Sequence, residues 1–249
     1  MKFSSSHNEP ESSNLGPVPV PPGVSGADRL LGGLLIRKTC WKLSLGGKFL
    51  VLAMAGIMFV GAIHFIHPFL AVTHREQARI LVVEGWVNHY GIDGALQEFK
   101  TGHYEQVFTT GGPLEGMGAS SSIYNTEAYQ SAALLRKAGM PADSVQSVPA
   151  LYVGKDRTYN SAVAFRNWLQ EHNLQGQSFN VLTEDAHARR TWLLFREAFG
   201  KSARIGIISV PNPDYDARHW WRTSEGVREV IDESIAYVYA KFFFWPSSV

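Results

Sequence analysis

The sequence has a single cysteine and lacks the residue spacings that commonly mark metal or nucleotide sites. Cys40 stands alone among 249 residues, so an intramolecular disulfide is excluded. No Cys-x-x-Cys or His-x-x-x-His spacing occurs, and we predict no metal site. The chain also lacks a G-x-G-x-x-G segment after its first predicted strand and a G-x-x-x-x-G-K-[ST] loop. Neither a standard dinucleotide fingerprint nor a P-loop is therefore present.

An excess of charge of one sign is also missing. The chain carries 23 Lys and Arg against 22 Asp and Glu, a formal net charge of +1. A basic domain of the kind that binds nucleic acid is excluded, and no nucleic-acid partner is expected.

Charged residues are absent altogether from residues 49–72, a long apolar run. A bilayer is crossed by about 20 apolar residues, so the run predicts one transmembrane helix. The preceding 48 residues are longer than a signal-peptide n-region and no cleavage site follows, which favours a retained anchor; a buried core helix is the alternative. His64, His67 and Pro68 suit the interfacial end of such a span.

Basic residues are more frequent before this run than after it, and this bias predicts the orientation. The residues compared are Arg29, Arg37, Lys38, Lys42 and Lys48 before the run, against Arg75 and Arg79 after it. The positive-inside rule then predicts a single pass in the inner (cytoplasmic) membrane, with a cytoplasmic N-terminus and a periplasmic or extracellular C-terminal domain. The inverted topology is the alternative.

The composition divides the chain into three parts. Residues 1–48 form a basic, Ser/Pro/Gly-rich segment that we predict to be a disordered tail. Residues 49–72 are the predicted anchor, and residues 73–249 are long enough for one domain with its own core.

Within residues 73–249, short β-branched runs alternate with longer amphipathic ones. Strands are predicted at 79–84, 106–110, 145–148, 179–183 and 204–210, and helices at 92–101, 123–138, 159–172, 186–199 and 220–244. Five such units predict an α/β fold, a Rossmann-like three-layer sandwich with a mainly parallel five-stranded sheet. Ligands of such sheets bind beyond the carboxyl ends of the strands.

Polar and glycine residues follow several of these predicted strands. Glu84 and Gly85 end the first strand, and Thr110, Gly111 and Gly112 end the second. Paired glycines allow close approach of a ligand and can direct peptide N–H groups at an anion. A plain tight turn before Pro113 is the alternative.

The segment after the fourth strand combines a histidine with an arginine. Thr183 lies at the strand tip, and His187 and Arg190 share one face at the start of the next helix. The positive end of the helix dipole favours a neutral imidazole, and Arg190 adds a permanent cation. Together they could bind a phosphate or carboxylate; solvation of a helix end is the alternative.

Two further helix starts carry polar side chains, namely Glu127 in one and Arg157, Thr158 and Asn160 in the other. Helix capping explains each of them singly. All of these junctions fall on one rim of the predicted sheet, however, so we expect the side chains to share one pocket.

Four of these motifs, in the same order, resemble the SanA/ElyC/YdcF-like domain family of bacterial envelope proteins. The resemblance covers about Ile80 to Ile235, at Thr110-Gly111-Gly112, Glu127-Ala128, Thr158-Tyr159 with Ala162, and Thr183 with His187 and Arg190. The third motif departs from the usual Thr-x-Glu-Asn-Ala, because Asn160 and Ser161 stand in the acidic and amide positions. The resemblance implies a Rossmann-like domain behind an N-terminal membrane segment, with a role in the cell envelope, in peptidoglycan, polysaccharide or lipid-carrier metabolism.

We therefore expect a membrane-anchored envelope protein that binds an anionic, phosphate-bearing precursor, either lipid-linked or a small molecule. As an enzyme it would be a hydrolase or transferase, with His187 as acid/base and Arg190 and Arg157 stabilising charge, and with Glu127 or Glu84 orienting a water or holding a cation. The alternatives are a non-catalytic assembly or regulatory factor and a nucleotide- or S-adenosylmethionine-binding protein. The sequence identifies no cofactor.

The last predicted helix ends in aromatic and cationic residues, from Tyr237 to Trp245. Such an end is typical of the headgroup level of a membrane; packing against the sheet is the alternative.

Overall fold

The computed structural model describes residues 43–114, 123–151 and 155–246, together with the backbone of residues 29–30 and 35–36. Those two short segments, β1 (Arg29–Leu30) and β2 (Leu35–Ile36), pair with each other antiparallel. Apart from them and residues 43–48, the predicted disordered tail lies outside the described residues. The chain forms two compact units, residues 1–53 and residues 54–249.

Helix α1 (Leu45–Leu70) contains the apolar run. The most apolar 18-residue stretch of this 26-residue helix has a mean hydropathy of 2.4, and no residue of that stretch is buried. Within the described part of the chain, it is the one helix that is long and apolar enough to cross a membrane. This finding is consistent with the predicted single-pass anchor.

The sheet and its helices follow the predicted order closely. The strands are β3 (Ile80–Glu84), β4 (Gln106–Gly111), β5 (Val145–Pro149), β6 (Phe179–Glu184) and β7 (Ile205–Val210). The helices are α2 (His89–Thr101), α3 (Glu127–Lys137), α4 (Arg157–Glu171), α5 (Ala188–Phe199) and α6 (Ser224–Phe242). Short 3₁₀ turns lie at Ile123–Asn125, Ala142–Ser144, Asp185–His187 and Ala217–Arg222.

All five strands of this sheet are parallel, in the order β5-β4-β3-β6-β7. The first of them, β3, is central; the chain adds β4 and β5 on one side, then crosses over to add β6 and β7 on the other. The predicted α/β fold is confirmed, and its mainly parallel sheet is parallel throughout. The crossover makes the carboxyl ends of β3 and β6 the topological switch point, where such sheets leave a crevice.

Side chains alternate between two buried layers, as the period of a strand requires. Ile80 and Val82 of β3 pack with Phe165 of α4 and Phe195 of α5. Leu81 and Val83 pack in the other layer, with residues of α2 and α3 such as Ala95 and Leu135. Glu84 follows Ile80 and Val82 at the same spacing of two residues, so its side chain points to the same side of the sheet, toward α4 and α5. It lies at the edge formed by the carboxyl ends of the strands, which we call the carboxyl edge.

The last two turns of α1 belong to the domain. Leu70 is fully buried in a third cluster with Ala186, Tyr215, Trp220 and Val230, and Ile63 and Ile66 pack against that cluster. The compact unit accordingly begins at Met54, well before the boundary at residue 73 that the apolar run indicates. The sequence could not show this, because hydropathy marks an apolar helix without saying what it contacts.

After α1 the chain descends along the outer edge of β7. The Ser209 N–H donates to Thr73 Oγ1 at 3.0 Å, and His74 pairs antiparallel with Ile207. The Asn180 side chain then bonds both the N–H and the C=O of Glu76, at 2.8 and 2.9 Å. The chain thus runs from the carboxyl edge to the amino edge before β3 begins, so α1 joins the domain at the carboxyl edge.

Candidate functional site

A cavity of about 580 Å³ lies at the carboxyl edge, between the ends of β3 and β4 and the starts of α3, α4 and α5, with α6 as one wall. It brings together most of the side chains that the sequence points to: Glu84, Thr110, Gly111, Glu127, Arg157, Thr158, His187 and Arg190. Segments more than a hundred residues apart in the chain therefore meet in one place. Four predicted residues, Gly85, Gly112, Asn160 and Thr183, do not line the cavity.

A carboxylate from α6 holds the histidine and the arginine of this cavity. Glu233 Oε1 lies 2.8 Å from His187 Nδ1, and the two carboxylate oxygens accept from Arg190 Nε at 2.8 Å and Nη2 at 2.9 Å. The three side chains are 13–19% exposed. Burial raises the pKa of Glu233, but hydrogen bonds from His187 and Arg190 outweigh it and lower that pKa to about 2. Glu233 is therefore ionised at neutral pH.

This contact fixes the tautomer of His187. A carboxylate can only accept, so we assign the proton of the neutral ring to Nδ1, which leaves Nε2 as the acceptor. Nε2 lies 3.8 Å from Glu84 Oε2, and the Trp86 ring packs at 4.6 Å between centroids. Arg190 Nη2 lies 2.9 Å from Nδ1 and 3.1 Å from Nε2. With the proton on Nδ1, Nε2 is the ring nitrogen that accepts from Arg190 Nη2.

Glu84 lies at the floor of the cavity, at the end of the central strand. It is 2% exposed, and its Oε2 accepts from the Thr191 hydroxyl at 2.8 Å. A buried carboxylate is costly without such donors. Thr191, one turn into α5, provides such a hydrogen-bond donor to Glu84.

Glu127 and Arg157 form an ion pair across the cavity, from the first residue of α3 to the first residue of α4. Thr126 caps α3 by accepting from the Tyr129 N–H at 3.2 Å, which leaves the Glu127 side chain available for the cavity. Burial raises the pKa of Glu127, and the charge of Arg157 opposes that shift. The carboxylate is therefore easier to protonate than an exposed glutamate.

The two predicted glycine positions at the strand ends have a packing role. A Cβ on Gly85 would lie 2.6 Å from both the Glu127 carbonyl carbon and the Thr110 oxygen, and one on Gly111 would lie 2.7 Å from Glu127 Cβ. These glycines let the start of α3 approach the strand ends. Gly112 also serves α3, since its C=O accepts from the Glu127 N–H at 2.8 Å.

We expect Gly85→Ala to lower the free energy of unfolding by about 1–3 kcal/mol, as overpacking does, and to displace Glu127. Gly112→Ala is the matched control, because its Cβ would meet only the Ala150 oxygen at 3.6 Å. Chemical denaturation of both variants measures the difference. Equal stabilities would contradict this account of the strand ends.

Several neighbouring polar residues do something other than the sequence suggested. The Asp185 carboxylate, before α5, lies 2.9 Å from His67 Nε2 of α1 and accepts from the Tyr215 hydroxyl at 2.5 Å. Thr158 is the second residue of α4 and does not cap it. Asn160 donates to the Lys155 C=O at 2.8 Å, so it fixes the turn that precedes α4.

Glu184 points away from the cavity, as the alternation along β6 requires. It accepts from the N–H and side chain of Asn88 and from the Tyr90 hydroxyl. It thereby holds the β3–α2 loop. Thr183 faces the cavity side but is fully buried.

The sequence missed Glu233, although a signal was present. Glu225, Glu229 and Glu233 recur at intervals of four along α6, which puts them close to one face. Glu229, one turn before Glu233, is half-buried; burial, followed by the charges of Asp185, Glu184 and Glu233, raises its pKa to about 7. Other residues that line the cavity are Lys155, Trp86, Tyr239 and Phe244.

One hydroxyl of the cavity has no partner among the described residues. Thr110 is 1% exposed, and its Oγ1 makes no hydrogen bond there. Buried polar groups are normally hydrogen-bonded, so this hydroxyl is suited to bind a ligand atom.

The described residues contain no group of three or more His, Cys, Asp and Glu side chains arranged to hold a metal ion.

Comparison with protein-family models, with curated proteins and with solved structures finds no match to this chain.

Proposed function

We propose that the protein is a membrane-anchored cell-envelope protein whose α/β domain binds an anionic, phosphate-bearing precursor in the carboxyl-edge cavity. The observation that carries this proposal is the convergence of Lys155, Arg157 and Arg190 with the first turns of α3 and α4 on one cavity. Cationic side chains and helix N-termini are the groups that favour a phosphate. The partly apolar wall of α6 would accommodate the rest of the molecule.

The cavity is also lined by the carboxylates Glu84, Glu127 and Asp156, and the first two set a condition on binding. Glu84 is hydrogen-bonded by Thr191, and Glu127 is paired with Arg157. A phosphate that binds Arg157 replaces Glu127 as its partner, and the raised pKa of Glu127 eases the protonation that this exchange requires. We therefore expect binding to strengthen as the pH falls toward the ordinary pKa of a glutamate.

If the bound phosphate ester is turned over, hydrolysis is the reaction that this arrangement supports. Once Arg190 Nη2 has moved from Nε2 to a phosphoryl oxygen, His187 Nε2 would take a proton from a water whose oxygen forms the new bond to phosphorus, while the bond from phosphorus to the leaving oxygen breaks. Glu233 would position the imidazole, and Arg157 and Arg190 would stabilise the charge on the phosphoryl oxygens. Replacing His187 with Gln should then abolish phosphate release while binding remains.

The test is a ligand-induced shift in the thermal stability of the full chain in detergent. The probes are inorganic pyrophosphate, a nucleoside diphosphate sugar, a polyprenyl diphosphate and S-adenosylmethionine. A phosphate probe at a hundred times its Kd should stabilise the fold by about 2.7 kcal/mol, and Arg157→Ala should remove that shift. Arg196→Ala is the control, because Arg196 lies over the Trp192 ring, away from the cavity. A shift with S-adenosylmethionine alone would overturn the proposal in favour of the cofactor-binding alternative.

The proposed location is the inner membrane, with the domain in the periplasm or outside the cell. It rests on α1 as a single span and on the basic residues before it. Alkaline phosphatase fused to the C-terminus should then be active in intact cells. Fluorescence from a C-terminal green fluorescent protein instead would mean that the domain is cytoplasmic.

A further inference from the structure

We propose that α6 is a second membrane contact, which lies in the plane of the bilayer surface with its outward face among the lipid headgroups and the first acyl carbons. This inference goes beyond ligand binding and rests on α1 being the membrane span. It is drawn from the two opposite faces of α6, from the place where α1 joins the domain, and from the side chains at the ends of α6.

One face of α6 packs on the carboxyl edge of the sheet. Val230 joins the buried cluster with Ala186, and Glu233 bonds His187 and Arg190. Further along, Tyr239 and Ala240 line the cavity. After the helix ends, the Phe244 ring lies 5.0 Å from that of Tyr159, in the first turns of α4. The helix therefore crosses the carboxyl edge, from the β6 and α5 side to the start of α4.

The opposite face of α6 is apolar and exposed. Its residues recur at intervals of four, four, three and four, which keeps them on one side of a helix. They are Val227, Ile231, Ile235, Val238 and Phe242, which are 39%, 45%, 64%, 47% and 66% exposed. We call them the outward stripe. A surface helix of a soluble domain ordinarily carries polar residues there.

The membrane span joins the domain at the carboxyl edge, which α6 also crosses. Leu70 is buried at that edge, and Thr73 bonds Ser209 near the end of β7. The preceding residues from Met54 to Ala62 are exposed or only half-buried. Because α6 lies across the edge at which α1 enters the domain, we place its outward stripe against the bilayer.

The two ends of α6 carry side chains suited to the headgroup level. Before the helix, the half-exposed Trp221 ring lies 5.0 Å from His64 of α1. Beyond the helix, Phe243 and Trp245 are 65% and 84% exposed. Tryptophan is enriched at the membrane–water interface, and an exposed apolar stripe with aromatic ends is typical of a helix in that plane.

The experiment measures the depth of single spin labels in the full chain, reconstituted into vesicles of zwitterionic and anionic phospholipid. Cys40→Ser provides the background without native thiols, and labels are placed at Ile235→Cys and Phe242→Cys. The matched control is Asp143→Cys, an exposed position just before β5 and hence at the amino edge. Oxygen partitions into the acyl region, whereas a charged-chelate nickel reagent stays in water.

We expect the labels at positions 235 and 242 to collide several-fold less often with the nickel reagent than the label at 143, and more often with oxygen. Equal nickel accessibility at all three positions would overturn the proposal. It would also be overturned if the two labels were shielded from both reagents and lay close to their counterparts in a second copy, because a dimer would then cover the stripe. The depth measurement needs no ligand, so its failure is distinct from a failure of the proposed function.

Discussion

A chain that begins at residue 73 is expected to be far less stable than one that begins at Met54, although both retain the whole sheet. The shorter chain loses Leu70, which is fully buried, and His67, the neighbour of the buried Asp185 carboxylate. A lost buried leucine costs about 2–5 kcal/mol, and without His67 the Asp185 carboxylate is left with the Tyr215 hydroxyl and the Asn212 N–H as donors. The leucine term by itself is a large part of the total stability of a small domain, about 5–15 kcal/mol.

Denaturation of the two chains in the same detergent measures this difference, and two point variants localise it. His67→Leu should destabilise the full chain, because His67 is 6% exposed and lies beside Asp185. His64→Leu, one turn earlier in α1, should change little, since His64 is exposed. If the shorter chain proved as stable as the longer one, the last turns of α1 would be a tether only.

Glu233→Ala is expected to lower the free energy of unfolding by about 3–5 kcal/mol, the cost of leaving a buried cation without its partner. The loss falls on Arg190, 19% exposed, which is held by both carboxylate oxygens. Glu225→Ala is the matched control on the same helix. Its pair with Arg228 at 2.7 Å is exposed, and such pairs contribute about 0–1 kcal/mol.

The same network should make the stability depend on acid pH. The pKa of Glu233 is about 2 in the folded chain, below its ordinary value of about 4.3, so the fold favours the carboxylate. Its contribution of about 3 kcal/mol is complete above pH 5 and is lost as the pH falls toward 2. Urea denaturation at pH 7 and pH 3 should therefore show the Glu233→Ala effect reduced by about half at the lower pH. An undiminished effect at pH 3 would mean that packing, rather than charge, stabilises this contact.

The order of strands and helices could be predicted from the sequence because each element is marked by its own local period. Buried parallel strands such as β3 are continuous apolar runs, and the helices between them are amphipathic. The boundaries moved by only a few residues, mostly where 3₁₀ turns precede a helix, as at Asp185–His187.

The shared location of the polar junctions also followed from the sequence, because parallel strands place all their carboxyl ends on one edge. The alternation along each strand could have refined that prediction. Glu84 and Thr110 fall on the α4/α5 side and line the cavity, whereas Glu184 falls on the other side.

Partners from outside the β/α units could not be predicted in the same way. Glu233 reaches His187 because α6 crosses the carboxyl edge, and His67 reaches Asp185 because α1 docks there. Both contacts depend on how a terminal helix packs, and no local pattern encodes that placement. Asp185 itself has a left-handed backbone, with φ of 33°, a conformation that residue type alone predicts poorly.

The continuity of the end of α1 with the sheet bears on how the cavity would meet the proposed ligand. Met54 to Leu70 belong to the same compact unit as the sheet, so no flexible linker separates this part of α1 from the sheet. With α1 as the proposed membrane span, the domain would diffuse laterally and rotate about the membrane normal at a constant height above the lipid. A molecule dissolved in the bilayer is then encountered by a search in two dimensions, with an effective concentration higher than the bulk value. A molecule free in the aqueous compartment receives no such advantage.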